Sequence, residues 1–267
     1  MSKRKGFVSA IFRWIEARPA RIIVFGFLVV ILLGTLLLSL PVSSRDNRGV
    51  GFLRALFTAT SATCVTGLVV VDTALHWTRF GQVVILSLIQ VGGLGIVTVT
   101  TFFFTMARRK MGLKAMVAAQ ESTGNFGFSD VARLVRRIVL ITFVIELIGA
   151  LVFATRFVPH FGWAEGLFRS VFHAVSSFCN AGFDLMGDHT GPYSSLIAFN
   201  GEPVVLLNTA FLFMIGGLGF VVWSDLLEYR KTRSIQFHTR VVLVMTGILV
   251  AFGFAFFLAS EFDNSLE

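Results

Sequence analysis

Five apolar runs, at residues 22–40, 83–106, 138–155, 204–224 and 241–260, divide the chain. The only charged residue inside any of them is Glu146, in the third run. Each run is long enough to cross a hydrocarbon layer about 30 Å thick as a helix. The pattern predicts five membrane-spanning helices, the first of them a retained helix rather than a removable signal peptide.

Two semi-apolar stretches, residues 51–71 and 166–185, interrupt this pattern between the first and second runs and between the third and fourth. Moving the first stretch by 115 positions matches Gly51 with Gly166, Cys64 with Cys179 and Gly67 with Gly182. Such a regular match indicates an internal repeat.

A second match follows each stretch. The sequence Gly-Gly-Leu-Gly occurs at residues 92–95 and again at residues 216–219, a shift of 124 positions. The second copy therefore carries nine additional residues before its last helix, and the polar stretch at residues 188–202 is where we expect them. Each copy is predicted to be a helix, a short re-entrant helix, an extended segment and a second helix.

Composition places the chain in lipid. Hydrophobic residues make up 55% of it, charged residues only 14%, and the mean hydropathy is +0.80. The net charge of +8 does not indicate nucleic-acid binding, because 17 of the 23 Lys and Arg residues lie in three short stretches between apolar runs. By the positive-inside rule those stretches are cytoplasmic, which puts the N-terminus inside and both semi-apolar stretches on the outer side.

These signals predict an all-α integral membrane protein with tandem helix–pore loop–helix repeats, two of them complete and a third represented by its first helix. The expected organisation is a cytoplasmic N-terminus (1–21), a first repeat (22–106), a cytoplasmic basic loop (107–137), a second repeat (138–227), a cytoplasmic loop (228–240) and the first helix of an incomplete third repeat (241–267).

The chemistry expected of the semi-apolar stretches is cation coordination by the backbone. A half-helix at residues 51–62 would direct its negative C-terminal end toward the membrane centre, and an extended segment at residues 63–68 would present carbonyl groups to a dehydrated cation such as K⁺. Glycine permits the backbone angles that this needs. The ion-binding residues predicted in this way are Thr63, Cys64, Val65, Thr66, Gly67, Cys179, Asn180, Ala181 and Gly182.

These motifs, SATCVTGLVVVD at residues 61–72, SSFCNAGF at residues 176–183 and the two Gly-Gly-Leu-Gly stretches, closely resemble the Trk/Ktr/HKT superfamily of potassium transporters. The nearest resemblance is to the bacterial Ktr-type potassium uptake subunit, and it covers nearly the whole chain. In that family four repeats surround one pore and each contributes a filter strand with a central glycine. Because this chain has two repeats and part of a third, we interpret it as an N-terminal fragment that should not conduct alone.

The resemblance further implies K⁺ as substrate, Na⁺ as a coupling or regulatory ion, a homodimer of full-length subunits, and a cytoplasmic ring of nucleotide-binding regulatory subunits. Two other functions stay open from the residues: a tandem-pore potassium channel and a non-conducting membrane scaffold. A channel would be expected to carry an aromatic residue between two filter glycines, and residues 64–68 contain only one glycine. No catalytic motif is evident in the sequence, so an enzyme is not expected.

Several single residues have two interpretations each. Cys64 and Cys179 are expected to pack behind the filter, not to act as reactive thiols. Glu146, inside an apolar run, is either functional or a paired or protonated helix residue. Asp72 and Asp184 either attract cations to the pore mouth or are solvated loop charges. His173, which matches Thr58, is expected to pack on its half-helix and not to bind a metal.

Overall fold

A computed structural model describes residues 19–111 and 128–261, with side chains for residues 24–95 and 136–260 apart from positions 190 and 230–232. Every regular element in these ranges is helical. Sequence predictions that concern residues 1–18, 112–127 and 262–267 lie outside the described residues. The chain divides after Gly217 into two compact units.

The long helices cover the apolar runs. Two single 3₁₀ turns occur at Pro41–Ser43 and Ile197–Phe199. In chain order the helices are α1 (Pro19–Leu38), α2 (Phe52–Thr63), α3 (Thr73–His76), α4 (Arg79–Met111), α5 (Phe128–Phe161), α6 (Trp163–Phe178), α7 (Gly187–Thr190), α8 (Pro203–Leu218), α9 (Phe220–Thr232) and α10 (Phe237–Glu261).

Length and composition qualify several helices to cross a membrane. Among the described side chains, Arg136–Phe161 of α5 and Phe237–Ser260 of α10 qualify singly, and Pro203–Leu218 with Phe220–Tyr229 qualifies as a pair. The apolar parts of α1 and α4 with described side chains are shorter, but the two helices run for 20 and 33 residues. At 1.5 Å per residue, α1 alone is about 30 Å long.

Equivalent contacts recur at the spacings found in the sequence. A methyl group added to Gly34 of α1 would meet the side chain of Leu88 of α4 at 2.7 Å, and one added to Gly149 of α5 would meet Leu212 of α8 at 2.7 Å. Gly149 lies 115 positions after Gly34, and Leu212 lies 124 after Leu88. The starts of α4 and α8, at residues 79 and 203, also differ by 124. The additional nine residues therefore lie between residues 183 and 202, where the sequence predicts them.

The first unit has two apolar cores. One includes Leu38, Trp77, Ile85 and Phe172, and the other includes Phe153. The opposite faces of α1 and α5 expose apolar side chains at matched positions 29, 32, 33 and 36 and 144, 147, 148 and 151. Hydrophobic exposure of this extent on a helix face is expected of a surface in contact with lipid and not with water.

The fourth apolar run is not one helix. The sequence predicts a continuous helix over residues 204–224, but α8 ends at Leu218 and α9 begins at Phe220. Gly219 between them has a φ of 83°, which an α-helix does not accommodate. Gly95, its counterpart in the first copy, lies inside the continuous α4.

The second unit consists of α9 and α10. The Asp225 carboxylate of α9 accepts a hydrogen bond from the backbone N–H of Gln236 at 2.9 Å, just before α10 begins. The large apolar side chains of α10, including Phe237, Phe252 and Phe254, are exposed. This helix has the surface of a lipid-facing or helix-packing segment.

Candidate functional site

The short helix α2 ends in a tight turn that reverses the chain. The backbone N–H of Thr66 donates to the carbonyl of Ser61 at 3.0 Å, and that of Val65 donates to the carbonyl of Ala62 at 3.3 Å. This pair of bonds is a Schellman motif, which requires a left-handed residue after the cap. Val65 is that residue, with a φ of 50°. A β-branched side chain seldom adopts this conformation, so the turn is strained.

Helix α6 ends in the same way. The N–H of Ala181 donates to the carbonyl of Ser176 at 2.8 Å, and that of Asn180 donates to Ser177 at 3.0 Å. Asn180 has a φ of 58° and occupies the left-handed position. Asparagine tolerates this conformation far better than valine does. Equivalent turns therefore follow both helices, and each turn leads into a non-helical segment. We name these the first return segment (residues 64–68) and the second return segment (residues 179–183).

The two return segments meet at their glycines. Gly67 has a φ of 73° and Gly182 a φ of 72°. A methyl group on Gly67 would lie 2.8 Å from the carbonyl oxygen of Ala181 and 3.4 Å from the α-carbon of Gly182, and one on Gly182 would lie 3.4 Å from the α-carbon of Gly67. Any other residue at position 67 would meet both an unfavourable φ and a backbone clash. The backbones approach each other here with no side chain between them.

The Gly-Gly-Leu-Gly stretches lie against the ends of the short helices. A methyl group on Gly92 of α4 would be 2.0 Å from the carbonyl oxygen of Thr63, the last residue of α2. A methyl group on Gly216 of α8 would be 1.8 Å from the carbonyl oxygen of Phe178, the last residue of α6. Glycine allows each long helix to approach the end of a short helix to within van der Waals contact of its last carbonyl group.

Both cysteines are free; Cys64 is half-buried and Cys179 is buried. The Cys179 sulfur occupies the space next to Gly93, where an added methyl group would lie 2.4 Å from it. The Cys179 side chain therefore packs against α4.

Glu146 lies behind the second return segment. Its Oε1 accepts a hydrogen bond from the amide of Gln90 of α4 at 3.0 Å, and the Cys179 sulfur is 3.9 Å away. Only 4% of the residue is exposed, and Oε2 has no partner among the described residues. This contact agrees with the interpretation that Glu146 pairs with another helix. Through Gln90 and Cys179, Glu146 connects α5 to α4 and to the start of the second return segment.

Asp72 and Asp184 follow the return segments. Asp72 is 8% exposed and caps α3, since its Oδ1 accepts from the N–H groups of Ala74 and Leu75. Its Oδ2 accepts from the N–H of Tyr193 at 2.8 Å. Asp72 therefore connects the start of α3 to the loop that contains Tyr193 and is not a solvated charge.

The carboxyl group of Asp184 has a different environment from that of Asp72. Burial raises the pKa of its carboxyl above the ordinary value, the hydrogen bond from the N–H of Met186 opposes the rise, and the charge of Asp72 adds to it. This partly buried carboxyl lies two residues beyond Gly182.

Arg169 of α6 anchors the chain just after the second return segment. Its guanidinium donates to the carbonyl of Leu185 at 2.7 Å and to both carboxylate oxygens of Asp188, at 2.9 and 2.5 Å. It also contacts Glu165 and stacks over the ring of Phe161 at 4.1 Å. Burial opposes the ionisation of Asp188, but the hydrogen bond and the charge of Arg169 outweigh it and hold the pKa of that carboxyl below its ordinary value. No role for Arg169 was predicted from the sequence.

His173 supports the same segment from inside. Its Nε2 accepts a hydrogen bond from the N–H of Leu185 at 3.2 Å, and its ring packs against Phe153 and Phe157. The described residues contain no group of three or more His, Cys, Asp or Glu that could hold a metal ion. The expectation that His173 is a packing residue agrees with this arrangement.

Comparison with known proteins identifies the family. The family model of the TrkH cation transport proteins matches residues 15–263. The chain belongs to this family. It is 42% identical over 91% of its length to the potassium/sodium uptake protein NtpJ of Enterococcus hirae, and 39% identical over 95% of its length to the Ktr system potassium uptake protein B of Bacillus subtilis. A third relative, the Ktr system potassium uptake protein B of Vibrio alginolyticus, is 38% identical over 91% of the chain.

The matched region is about half of each relative: 52% of NtpJ, 55% of the Bacillus protein and 52% of the Vibrio protein. The resemblance to potassium transporters found in the sequence is confirmed by these matches. The TrkH-family chain thus contains two matched half-helices whose return segments meet at Gly67 and Gly182. Thr63, expected in the first extended segment, is instead the last residue of α2.

Proposed function

We propose that this chain forms half of a cation pathway and that, within its transporter, it takes up K⁺ across the cell membrane. The observation that carries the proposal is the approach of the Gly67 and Gly182 backbones at the ends of two matched half-helices. Two irregular backbone segments inside an apolar protein are tolerated where they line an aqueous path. Their polar groups are then available to a permeating ion.

The selectivity filter in this proposal consists of backbone carbonyl groups of residues 64–67 and 179–182. Neighbouring side chains are engaged in the protein: the Cys179 sulfur faces Glu146, and the Thr66 hydroxyl bonds that of Ser61 at 2.8 Å. Carbonyl dipoles can replace the hydration shell of K⁺ without a fixed charge that would hold the ion too tightly. Thr63 would contribute as the last residue of α2, at the negative end of the helix dipole.

The half-helices supply a second electrostatic contribution. Helices α2 and α6 each end directly at a return segment, so the negative ends of their dipoles lie next to the proposed ion path. The negative end of a helix dipole favours a cation within about one turn of the C-terminus. Both half-helices would thus lower the free energy of a dehydrated K⁺ between them.

We propose a multi-pass arrangement in the cell membrane with lipid against the exposed faces of α1, α5 and α10. The N-terminus and the basic loop are cytoplasmic in this arrangement, since Lys and Arg accumulate there. The boundaries at residues 22–106, 138–227 and 241–267 for two helix–pore loop–helix repeats and the start of a third are part of the same proposal.

Complete relatives named as potassium uptake proteins are about twice as long as the matched region. We propose that the two filter segments of this chain need further segments to enclose an ion. A homodimer of full-length subunits, a cytoplasmic nucleotide-binding ring and a coupling or regulatory role for Na⁺ are extensions of the proposal by family membership.

The experiment that tests the proposed function is complementation. The complete gene, expressed in a bacterial strain that lacks its own potassium uptake systems, should restore growth at limiting K⁺ and support rubidium uptake. Replacing K⁺ in the medium with Na⁺ should not restore growth. A protein that reaches the membrane at normal levels and supports neither growth nor uptake would overturn the proposal.

A further inference from the structure

The side chain of Asn180 does more than accept the left-handed turn. Its amide Nδ2 donates to the carbonyl of Phe213, in α8, and to the carbonyl of Phe178, at the end of α6, each at 3.3 Å. The same Phe178 carbonyl lies against Gly216 of α8. One amide therefore links the turn of the second return segment to both the half-helix and the long helix behind it.

The equivalent position in the first copy cannot form this link. Val65 occupies it, with a φ of 50°, and a valine side chain has no hydrogen-bond donor. The counterparts of the two acceptors are the carbonyl groups of Thr63, 115 positions before Phe178, and of Ile89, 124 positions before Phe213. The Thr63 carbonyl lies against Gly92 as the Phe178 carbonyl lies against Gly216, so the acceptor geometry recurs while the donor is absent.

We propose that Asn180 is a positioning residue that fixes the second return segment to α8 and thereby sets cation discrimination, and that Val65 leaves the first return segment without this connection. The proposal rests on the proposed function of the two return segments. An amide in the left-handed position satisfies two carbonyl groups at once and costs little backbone strain. The carbonyl groups of residues 180–182 are then held at a fixed distance from α8.

The two positions allow matched substitutions that separate strain from hydrogen bonding. Asn180→Gly keeps the left-handed turn and removes the amide. Val65→Gly relieves the strain in the first turn and adds no donor, whereas Val65→Asn relieves it and adds the donor. The difference between the two Val65 variants isolates the amide. Leu207→Ala, at a position of α8 that is 68% exposed, is the control for damage to that helix.

Rubidium and sodium uptake by the complete gene product provides the first measurement. Asn180→Gly is expected to lower the preference for rubidium over sodium roughly five- to tenfold, the effect of losing about one hydrogen bond, at unchanged membrane abundance. Leu207→Ala should keep the preference. A merely structural role for Asn180 would lower abundance or total uptake and leave the preference intact.

Thermal unfolding of the purified protein provides the second measurement, which stays informative if Asn180→Gly does not accumulate. Val65→Asn should raise the midpoint of unfolding by more than Val65→Gly does. An equal or smaller rise overturns the proposal, as does an Asn180→Gly protein with full discrimination.

Gly182→Ser in the same uptake assay distinguishes failure of the role proposed for Asn180 from failure of the proposed function. If Gly182→Ser loses discrimination while Asn180→Gly retains it, the role of Asn180 fails and the proposed function stands. If both variants retain it at normal abundance, the proposed function fails as well.

Discussion

Replacing Gly92 with alanine should destabilise the protein, because Gly92 contacts the end of α2. An added methyl group at Gly92 would lie 2.0 Å from the Thr63 carbonyl oxygen, whereas ordinary contacts begin near 3.4 Å. Helix α4 and the end of α2 would have to separate by about 1.4 Å. Overpacking of this kind costs about 1–3 kcal/mol. For a chain of this size we expect Gly92→Ala to lower the midpoint of thermal unfolding by roughly 2–12 °C.

The control is Gly26→Ala in α1, where nothing lies within 4 Å of an added methyl group. Alanine is a better helix former than glycine by about 1 kcal/mol, so this variant should be neutral or slightly stabilised. The assay is thermal unfolding of the purified protein in detergent, with potassium uptake by the complete gene product measured in parallel. Gly92→Ala should reduce uptake because it displaces the start of the first return segment. Equal midpoints for the two variants would refute the close approach of α4 to the end of α2.

Three further predictions follow. Glu146→Leu should weaken the contact with Gln90 and lower cation discrimination several-fold, while Glu146→Gln, which still offers an acceptor, should retain most of it in the same uptake assay. Asp188→Asn should destabilise the loop around residue 188 at neutral pH. Because Arg169 lowers the pKa of Asp188, the stabilisation by this ion pair is present above the ordinary pKa of an aspartate and is lost as the pH falls through the lowered value. The unfolding curves of the variant and the parent should therefore converge in acid. A cysteine at position 114 should resist a membrane-impermeant thiol reagent in intact cells if Cys64 and Cys179 are removed, and ready labelling would reverse the proposed orientation.

Helix positions were predictable because they depend on hydrophobic length and on the internal match. The shift of 124 predicts the spacing between the starts of α4 and α8, and its difference from the shift of 115 predicts the nine additional residues before α8. The half-helix predicted at residues 51–62 is Phe52–Thr63 in the structure. Its counterpart, expected from residue 166, begins earlier, at Trp163, because Gly162 provides the turn that ends α5 and begins α6.

Features that depend on backbone conformation and on distant contacts were not predictable. Glycine at positions 67 and 182 suggests a positive φ, but nothing about valine suggests that Val65 adopts one. Asp72 accepts a hydrogen bond from the N–H of Tyr193, which is 121 residues away in the chain. Its structural role could therefore not be predicted from the sequence. The break at Gly219 was also missed, since its counterpart Gly95 is accommodated within a helix.

In the proposed function, the backbone around Gly67 coordinates the ion. Gly67→Ser would introduce a side chain at a φ of 73° and 2.8 Å from the Ala181 carbonyl oxygen. The strain is of order 1–3 kcal/mol, and hundredfold discrimination between K⁺ and Na⁺ amounts to only about 2.7 kcal/mol. Gly191→Ser is the matched control, because Gly191 also has a positive φ, of 109°, but has nothing within 4 Å of an added methyl group.

The decisive measurement is the ratio of rubidium to sodium uptake by these two variants of the complete gene product, at equal abundance in the membrane of a strain without other potassium uptake. We expect Gly67→Ser to lower this ratio at least tenfold and Gly191→Ser to retain it. Unchanged discrimination in Gly67→Ser would contradict the assignment of both return segments to an ion filter.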